Sequence, residues 1–373
     1  MLSYAPPPFL CIPEVRFSSA WEVTTLSWVL SCLRVYHNHI VISIYKCKFK
    51  NTLFLHIFLV LAYSNLKCFL SGVFMSSFLY DFSVLGGDAR QVFLAEMLAE
   101  SGSSLCHYAL SSQPNNSCAE NVPRICEASS LEEACTHSKT VICPFPFTKN
   151  GADVSAENSS YRFSIQTLLH LLRPGQSFFA GCIPASFKEA AAKNGIAVFD
   201  YADDISLPVY NSVSTAEGAV CEAIIHSPFN LHKSRCAVLG FGKCGHSIVC
   251  CLKGLSANVS VFTDNTEEAA RASLVADESF PLSSLPDRAG NFRFIFNTIP
   301  VQFINENTLK NIDRSALIVD IASSPGGVDY KAAHRLGILA LHCLGLPGKY
   351  APASSARFLK HFIDTKLSSQ SSF

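Results

Sequence analysis

The sequence predicts an α/β protein with two doubly wound, parallel-sheet domains facing a cleft, behind an atypical apolar N-terminal extension. Three observations carry that expectation. From residue 78 onward, short apolar runs ending in glycine or proline alternate with segments of helical spacing, the pattern of β-α-β units in a parallel sheet. Residues 235–264 string together a strand, a three-glycine turn, a helix, a second strand and an acidic residue. Between the two arrays, residues 211–225 (NSVSTAEGAVCEAII) read as one long helix, which suits a link between domains.

Composition bounds what such a chain does. Its 373 residues are enough for two domains with their own cores. The 29 basic and 29 acidic residues give none of the basic excess that marks nucleic-acid binding. The 16 cysteines are scattered through apolar runs without C-x-x-C spacing, so they are expected as buried reduced thiols of a cytoplasmic chain, with no disulfide framework and no metal.

Residues 1–74 differ from the rest. Their only acidic residues are Glu14 and Glu22, and they carry apolar runs such as 52–62 (TLFLHIFLVLA). That run is shorter than the ~20 residues of a membrane span, and Asn65 and Lys67 interrupt its continuation. No small-residue cleavage site marks a signal peptide. The expectation is a translated leader ahead of a true start at Met75, such that a chain beginning there folds as well as the whole; a membrane anchor is the alternative. The domain division is then 1–74 for the extension, 75–210 for a first α/β domain joined by a terminal helix at 350–373, and 211–349 for the linking helix and second domain.

The elements follow in order. Residues 79–85 (LYDFSVL) form a strand running into Gly86-Gly87-Asp88, and 90–100 a helix. Strands are expected at 140–143, 177–180 and 197–199, with helices at 165–172 and 185–194. In the second array the strands 292–296, 316–320 and 338–343 end in loops at 297–300 (NTIP), 321–327 (IASSPGG) and 345–348 (GLPG). Residues 355–366 read as a final helix that crosses back to the first domain by analogy with two-domain folds.

The motif 238–247 (VLGFGKCGHS) has the strand-turn-helix-strand context of a Rossmann-like dinucleotide unit. Gly240 permits the turn, Gly242 lets the backbone approach a pyrophosphate at the helix N-terminus, and Gly245 allows close helix–strand packing, with Phe241, Lys243 and Cys244 completing the loop. Asp264, at the tip of the next strand, would accept hydrogen bonds from ribose hydroxyls, which favours NAD over NADP. Gly242→Val should abolish cofactor binding in a folded unit, and Asp264→Arg should turn the preference toward NADP. The opening at Gly86-Gly87 lacks a third glycine and is not read as a nucleotide site.

Taken together, GGDARQVFLAEMLAE, YNSVSTAEGAV, VLGFGKCGHS, NTIP, DIASSPGGVD and GLPGKYAP resemble, in the same order, the dipicolinate synthase A-subunit family, over residues 78 to about 364. The resemblance implies a two-domain, dehydrogenase-like, cytoplasmic oxidoreductase of sporulation. It would use NAD or NADP to oxidise a dihydrodipicolinate-type intermediate to pyridine-2,6-dicarboxylate, alongside a flavoprotein-like B subunit. Two positions depart from the family: Asp264 stands where members often carry arginine, and Ser354-Ser355-Ala356 replaces a Thr-Ala-Gly run.

Under this reading the loops after successive strands hold the site. Asn297, Ser323 and Ser324 are candidate catalytic groups, Thr298 and Pro300 would flank the cofactor, and Gly326 and Gly327 would offer backbone donors to substrate. Arg90, beside Asp88 at a helix N-terminus, would take a substrate carboxylate; pairing with Asp88 on the surface is its other reading. Asn211, Ser212 and Thr215 could face the cleft, although a helix cap explains Asn211 or Ser212 equally well. Glu217, at the same junction, is the candidate proton acceptor, although the helix macrodipole also explains a carboxylate near a helix start. His342 reads as a packed strand residue. A D-2-hydroxyacid dehydrogenase-like enzyme is the rival reading, but the loop 344–350 lacks the histidine base it needs. A nucleotide-binding regulatory subunit without turnover is the rival of another class.

Overall fold

Runs rich in β-branched and aromatic residues, each closed by a glycine, proline or polar turn, build two sheets. The computed structural model describes residues 78–115, 125–158 and 160–370, within the unit Ser77–Phe373; the expectations for residues 1–74 and for a start at Met75 lie outside them. The first sheet comprises β1 (Tyr80–Leu85), β2 (Leu105–Tyr108), β3 (Ile125–Glu127), β4 (Ser138–Ile142), β5 (Ser177–Ala180) and β6 (Ala197–Asp200). Helices α1 (Ala89–Glu100), α2 (Leu131–Thr136), α3 (Ile165–Leu171) and α4 (Ala185–Lys193) connect them. A 20-residue helix, α5 (Leu207–His226), follows. The second sheet comprises β7 (Arg235–Leu239), β8 (Asn258–Phe262), β9 (Glu278–Phe280), β10 (Phe294–Asn297), β11 (Leu317–Asp320) and β12 (Leu339–His342). Its helices are α6 (Lys243–Gly254), α7 (Thr266–Ala272), α8 (Leu285–Arg288), α9 (Glu306–Leu309) and α10 (Tyr330–Leu336), with α11 (Leu346–Tyr350) and α12 (Pro352–Gln370) closing the chain.

Both sheets are parallel throughout and share one topology. The strand orders are β3-β2-β1-β4-β5-β6 and β12-β11-β10-β7-β8-β9, each the doubly wound order 3-2-1-4-5-6. Val84 pairs with His107 on one side and Ile142 on the other. Leu239 pairs likewise with Phe262 and Asn297. The order reverses at these central strands, so a crevice opens above β1/β4 and another above β7/β10, where ligands bind in such sheets.

Both faces of each sheet are covered, which is why the strands are apolar without strict alternation. In the first sheet Leu85, Val141 and Phe178 face Leu131, Leu168 and Phe187, whereas Val84, Ile142 and Phe179 face Leu98, Leu359 and Phe362. Helix α12 thus lies on the first sheet, and Phe362 meets Tyr201 edge-on at 5.3 Å. Ala356, one of the departures from the family, is buried in that core. In the second sheet, Val238, Val261 and Phe296 pack under Ala219 and Ala223 of α5 and Ile248 of α6.

Some expected boundaries move. The linking helix begins four residues before 211, because Asp204 accepts the backbone N–H groups of Ser206 and Leu207 at 2.7 and 2.9 Å and starts it there. Position 211 therefore falls inside the helix, and neither Asn211 nor Ser212 is a cap. Gly218 brings α5 close to α11: a Cβ there would meet Tyr350 Cδ2 at 2.8 Å and Leu346 Cβ at 2.9 Å. The described cysteines are free, but only Cys106, Cys135, Cys143 and Cys236 among them are buried, and Cys182 and Cys250 are exposed.

Candidate functional site

The glycine loop lies at the switch point of the second sheet. Gly240 ends β7 at φ +84°, a conformation open to glycine, and a Cβ there would stand 2.5 Å from Thr298 Oγ1. Gly245, inside the first turn of α6, would place a Cβ 2.2 Å from the Gly240 carbonyl oxygen, so the helix can approach the strand only without a side chain. Gly242 is the N-cap of α6 with no side-chain cap, and a Cβ on it would meet nothing nearer than Glu268 Oε1 at 3.9 Å. An uncapped helix start with open space before it fits a pyrophosphate. Lys243 is exposed and Cys244 half-buried at this mouth. Phe241 turns its ring into the core, fully buried beside His246, and offers the loop only its backbone.

Thr298 joins the loop through its hydroxyl, which donates to the Leu239 carbonyl oxygen at 2.8 Å, and Pro300 is exposed beyond it. Asp264 departs from expectation. Its Oδ1 accepts the Leu282 N–H at 2.9 Å, so it holds the next loop in place. The carboxylate at the glycine loop is Glu268, whose Oε2 accepts from Phe241 N–H at 3.0 Å and from Thr263 Oγ1 at 2.7 Å. Sequence reading passed over Glu268, although Asn265 three residues before it marks a helix N-terminus whose third position favours Glu.

The neighbouring loops correct several expected roles. Asn297 is fully buried, and its amide donates to Asp320 Oδ1 at 2.8 Å and Ile299 O at 3.0 Å, so it is a structural clamp without a free group for catalysis. Gly326 N–H is bonded to Ser323 O, and Gly327 N–H to Asp320 Oδ2 at 2.7 Å, so neither donor is open to substrate. Asp320, which the sequence did not single out, organises this loop: fully buried, it also accepts from Ala322 N–H at 3.0 Å and Tyr330 Oη at 2.7 Å. Ser323 and Ser324 are exposed, and their hydroxyls have no hydrogen bond among the described residues. His342, expected as a packed residue, is exposed with Nε2 2.9 Å from the Ala322 carbonyl oxygen.

On α5, Ser212 is buried against Ser247 of α6 at 2.8 Å, and the Thr215 hydroxyl returns to Asn211 O at 2.8 Å. Both are engaged within the scaffold, whereas Asn211 is half-buried with a free amide among the described residues. Glu217 sits three turns into the helix on an exposed face, near Cys251 of α6. That depth in the helix is beyond the first turn, where the macrodipole would account for a carboxylate.

At the first switch point, Arg90 grips Asp88 in a fork, Nε to Oδ1 at 2.8 Å and Nη2 to Oδ2 at 2.6 Å, and Nη2 also donates to Phe145 O. The pair is largely buried, not on the surface, with side-chain exposures of 11% and 19%. Burial alone would raise Asp88, but the bonds and charge of Arg90 hold its carboxyl below the usual range. Asp88 also caps α1 and presses on Gly348, where a Cβ would stand 2.5 Å from Oδ2. The pair therefore braces the first crevice against α11, leaving Nη1 as the part of Arg90 without a hydrogen bond among the described residues. Gln91 and His107, buried nearby at 2% and 3% exposure, have side-chain atoms without partners; burial lowers the His107 pKa, against the opposing charge of Glu127. A cavity of about 580 Å³ in this domain is lined by Asp81, Lys139 and Gln176 at the opposite, N-terminal ends of the strands.

Behind the cleft, the buried Glu222 carboxylate takes Lys349 Nζ at 2.6 Å and Tyr350 Oη at 2.8 Å, tying α5 to α11. Burial pushes its pKa up, but those two hydrogen bonds and the Lys349 charge outweigh it and the net shift is downward. The stabilisation is therefore complete above the ordinary glutamate pKa of about 4.3 and is lost as pH falls through the lower folded value. Glu222→Gln is expected to lower the melting temperature by about 2–6 °C at neutral pH, for about 1–2 kcal/mol of hydrogen bonding. Thermal melts across pH 3–7 should find that difference shrinking below about pH 4; a difference that persists unchanged in acid would refute the ion-pair account.

Comparison with known proteins matches this arrangement. Residues 81–202 match the family described as the dipicolinate synthase A-subunit N-terminal domain. The dipicolinate synthase A subunit of Bacillus subtilis (strain 168) is 35% identical over 178 residues, covering 48% of this chain and 59% of that protein. A crystal structure of the A chain of dipicolinate synthase from Bacillus subtilis superposes with a TM-score of 0.65 at 27% identity, over 80% of this chain and 99% of that one. The corresponding protein from Bacillus halodurans gives 0.66 at 24%, over 77% and 97%. An L-alanine dehydrogenase shares the fold at a TM-score of 0.52 and 13% identity, over 75% and 86%. The chain thus resembles the A subunit of dipicolinate synthase, in sequence over its matched stretches and in fold over most of its length.

Proposed function

We propose that this chain is a cytoplasmic, dipicolinate synthase A-subunit-like oxidoreductase of spore formation. It oxidises a dihydrodipicolinate-type intermediate to pyridine-2,6-dicarboxylate, and its partner is a B subunit. In this reading residues 75–210 with the terminal helix form the substrate side, and 211–349 the dinucleotide side. The observation that carries it is the uncapped N-terminus of α6 behind Gly240 and Gly242, at the switch point of a doubly wound sheet. A nicotinamide held at that helix start would supply the hydride acceptor for the dihydropyridine ring, which would lose one proton as well and gain aromaticity as the driving force.

The protein's own work is then orientation. The N–H groups at the start of α6 hold the pyrophosphate, and Thr298 fixes the adjoining turn. Ser323 and Ser324 present free hydroxyls near the end of β11, and the Asp320 network keeps their loop rigid. Arg90 Nη1 is the available cation for one carboxylate. The test is ultraviolet detection of pyridine dicarboxylate, and of reduced cofactor, with NAD or NADP, with and without the B subunit. Product formation supports the reading; a chain that binds dinucleotide but never reduces it, with partner present, is instead a regulatory subunit.

A further inference from the structure

We propose that Glu268, at the start of α7, is the residue that reads the adenosine ribose and makes this chain prefer NAD to NADP, an assignment that rests on the dinucleotide reading above. The geometry assigns the role to Glu268 over Asp264. Phe241, the residue between the first two glycines of the loop, donates its N–H to Glu268 Oε2 at 3.0 Å, and Thr263 at the tip of β8 donates its hydroxyl to the same oxygen at 2.7 Å. These two bonds pin one carboxylate oxygen between the glycine loop and the second strand. The other, Oε1, accepts no hydrogen bond among the described residues, and it lies 3.9 Å from the position of a Gly242 Cβ, facing the open mouth of the loop.

Glu268 does not block the anion position. The N–H it occupies belongs to the residue before the helix N-cap, and Gly242 leaves the first turn of α6 without a side-chain cap. The carboxylate stands beside the pyrophosphate seat, where the ribose of a dinucleotide running along the loop comes to lie. A carboxylate with one oxygen clamped and one free accepts hydrogen bonds from vicinal hydroxyls, whereas a 2′-phosphate would bring a second negative charge against it. Its position is fixed from below as well, since Asn265 Oδ1 caps α7 by accepting the Glu267 and Glu268 N–H groups at 2.9 and 3.1 Å. Asp264 is tied to a different segment, its Oδ1 accepting Leu282 N–H, and among the described residues no hydrogen bond joins its side chain to the glycine loop. Arg271, whose guanidinium lies 5.9 Å from the Phe241 ring centroid, flanks the same loop and is the cation that would serve NADP if the assignment were wrong.

Calorimetric titration of NAD and of NADP into the wild type, Glu268→Gln and Asp264→Asn tests this, with thermal melts to establish folding. The wild type is expected to bind NAD the more tightly. Glu268→Gln should weaken NAD by about tenfold or more and narrow the ratio between the two cofactors, whereas Asp264→Asn should change either affinity by no more than about twofold. If Glu268→Gln melts early, Glu268→Asp, which keeps the charge and withdraws it by one methylene, should weaken NAD in the same way. The assignment is overturned if the Glu268 variants bind as the wild type does, if Asp264→Asn carries the loss, or if the wild type prefers NADP. A wild type that binds neither dinucleotide fails in a different manner, removing the nucleotide reading and this assignment with it.

Discussion

Gly242→Val and Gly245→Val should part company: the first leaves a folded protein that has lost dinucleotide binding, and the second loses its fold. A Cβ at Gly245 would stand 2.2 Å from the Gly240 carbonyl oxygen and 2.9 Å from its carbon, which are backbone atoms of the turn and cannot rotate away. Either α6 lifts from the sheet or the turn deforms, and the core contacts of Ile248, Val249 and Leu252 go with it. A loss of about 3 kcal/mol or more follows from such forced overpacking. At Gly242 the φ of −67° suits any residue, and the nearest atom to a Cβ is 3.9 Å away, so valine costs the fold little. The branched side chain would instead fill the space before the helix N-terminus. Loss of about 100-fold or more in affinity is expected, since the backbone could no longer approach a phosphate. Thermal melts and cofactor titration on the two variants read both effects. Normal dinucleotide binding by a folded Gly242→Val would show that the loop is a structural turn and nothing more.

Asp320→Ala should be the most damaging single change outside the glycine loop. The carboxylate is fully buried and accepts from Asn297 Nδ2, Ala322 N–H, Gly327 N–H and Tyr330 Oη, all at 2.7 to 3.0 Å. Alanine leaves four donors facing an empty space, two of them on the backbone of the loop that carries Ser323 and Ser324. A cost of about 3–5 kcal/mol is expected, with a fall in melting temperature of about 10 °C. Tyr330→Phe removes one of the four and should cost only about 1–1.5 kcal/mol. Equal losses for the two variants would mean that the tyrosine bond alone holds the loop. If Asp320→Ala melts within a degree or two of the wild type, the network has no structural weight.

The strands and the larger helices were legible because their signals are local. Apolar runs closed by glycine or proline located β1, β5 and β7 within a residue of their observed ends. The three glycines of the loop have distinct jobs that spacing alone implies, and two of the three are visible as steric requirements. Short elements such as β3 and β9, three residues each, were missed because so few residues carry no period.

What the sequence by itself determined is the alternation of elements, the dinucleotide-type turn at 240–245 and the likeness of its ordered motifs to one family, all read from residues close together in the chain. Only the tertiary structure decided the strand order of the two sheets and which polar groups are already engaged. Asp88 with Arg90, Asn297 with Asp320, and Phe241 with Glu268 show why: a side chain's chemistry depends on its hydrogen-bond partners. For Asn297 and Glu268 those partners are 23 and 27 residues away, brought near by parallel strands that meet only when the sheet forms. Local pattern records which residues can donate or accept, but whether a group is left free for a ligand is settled by the folded packing around it.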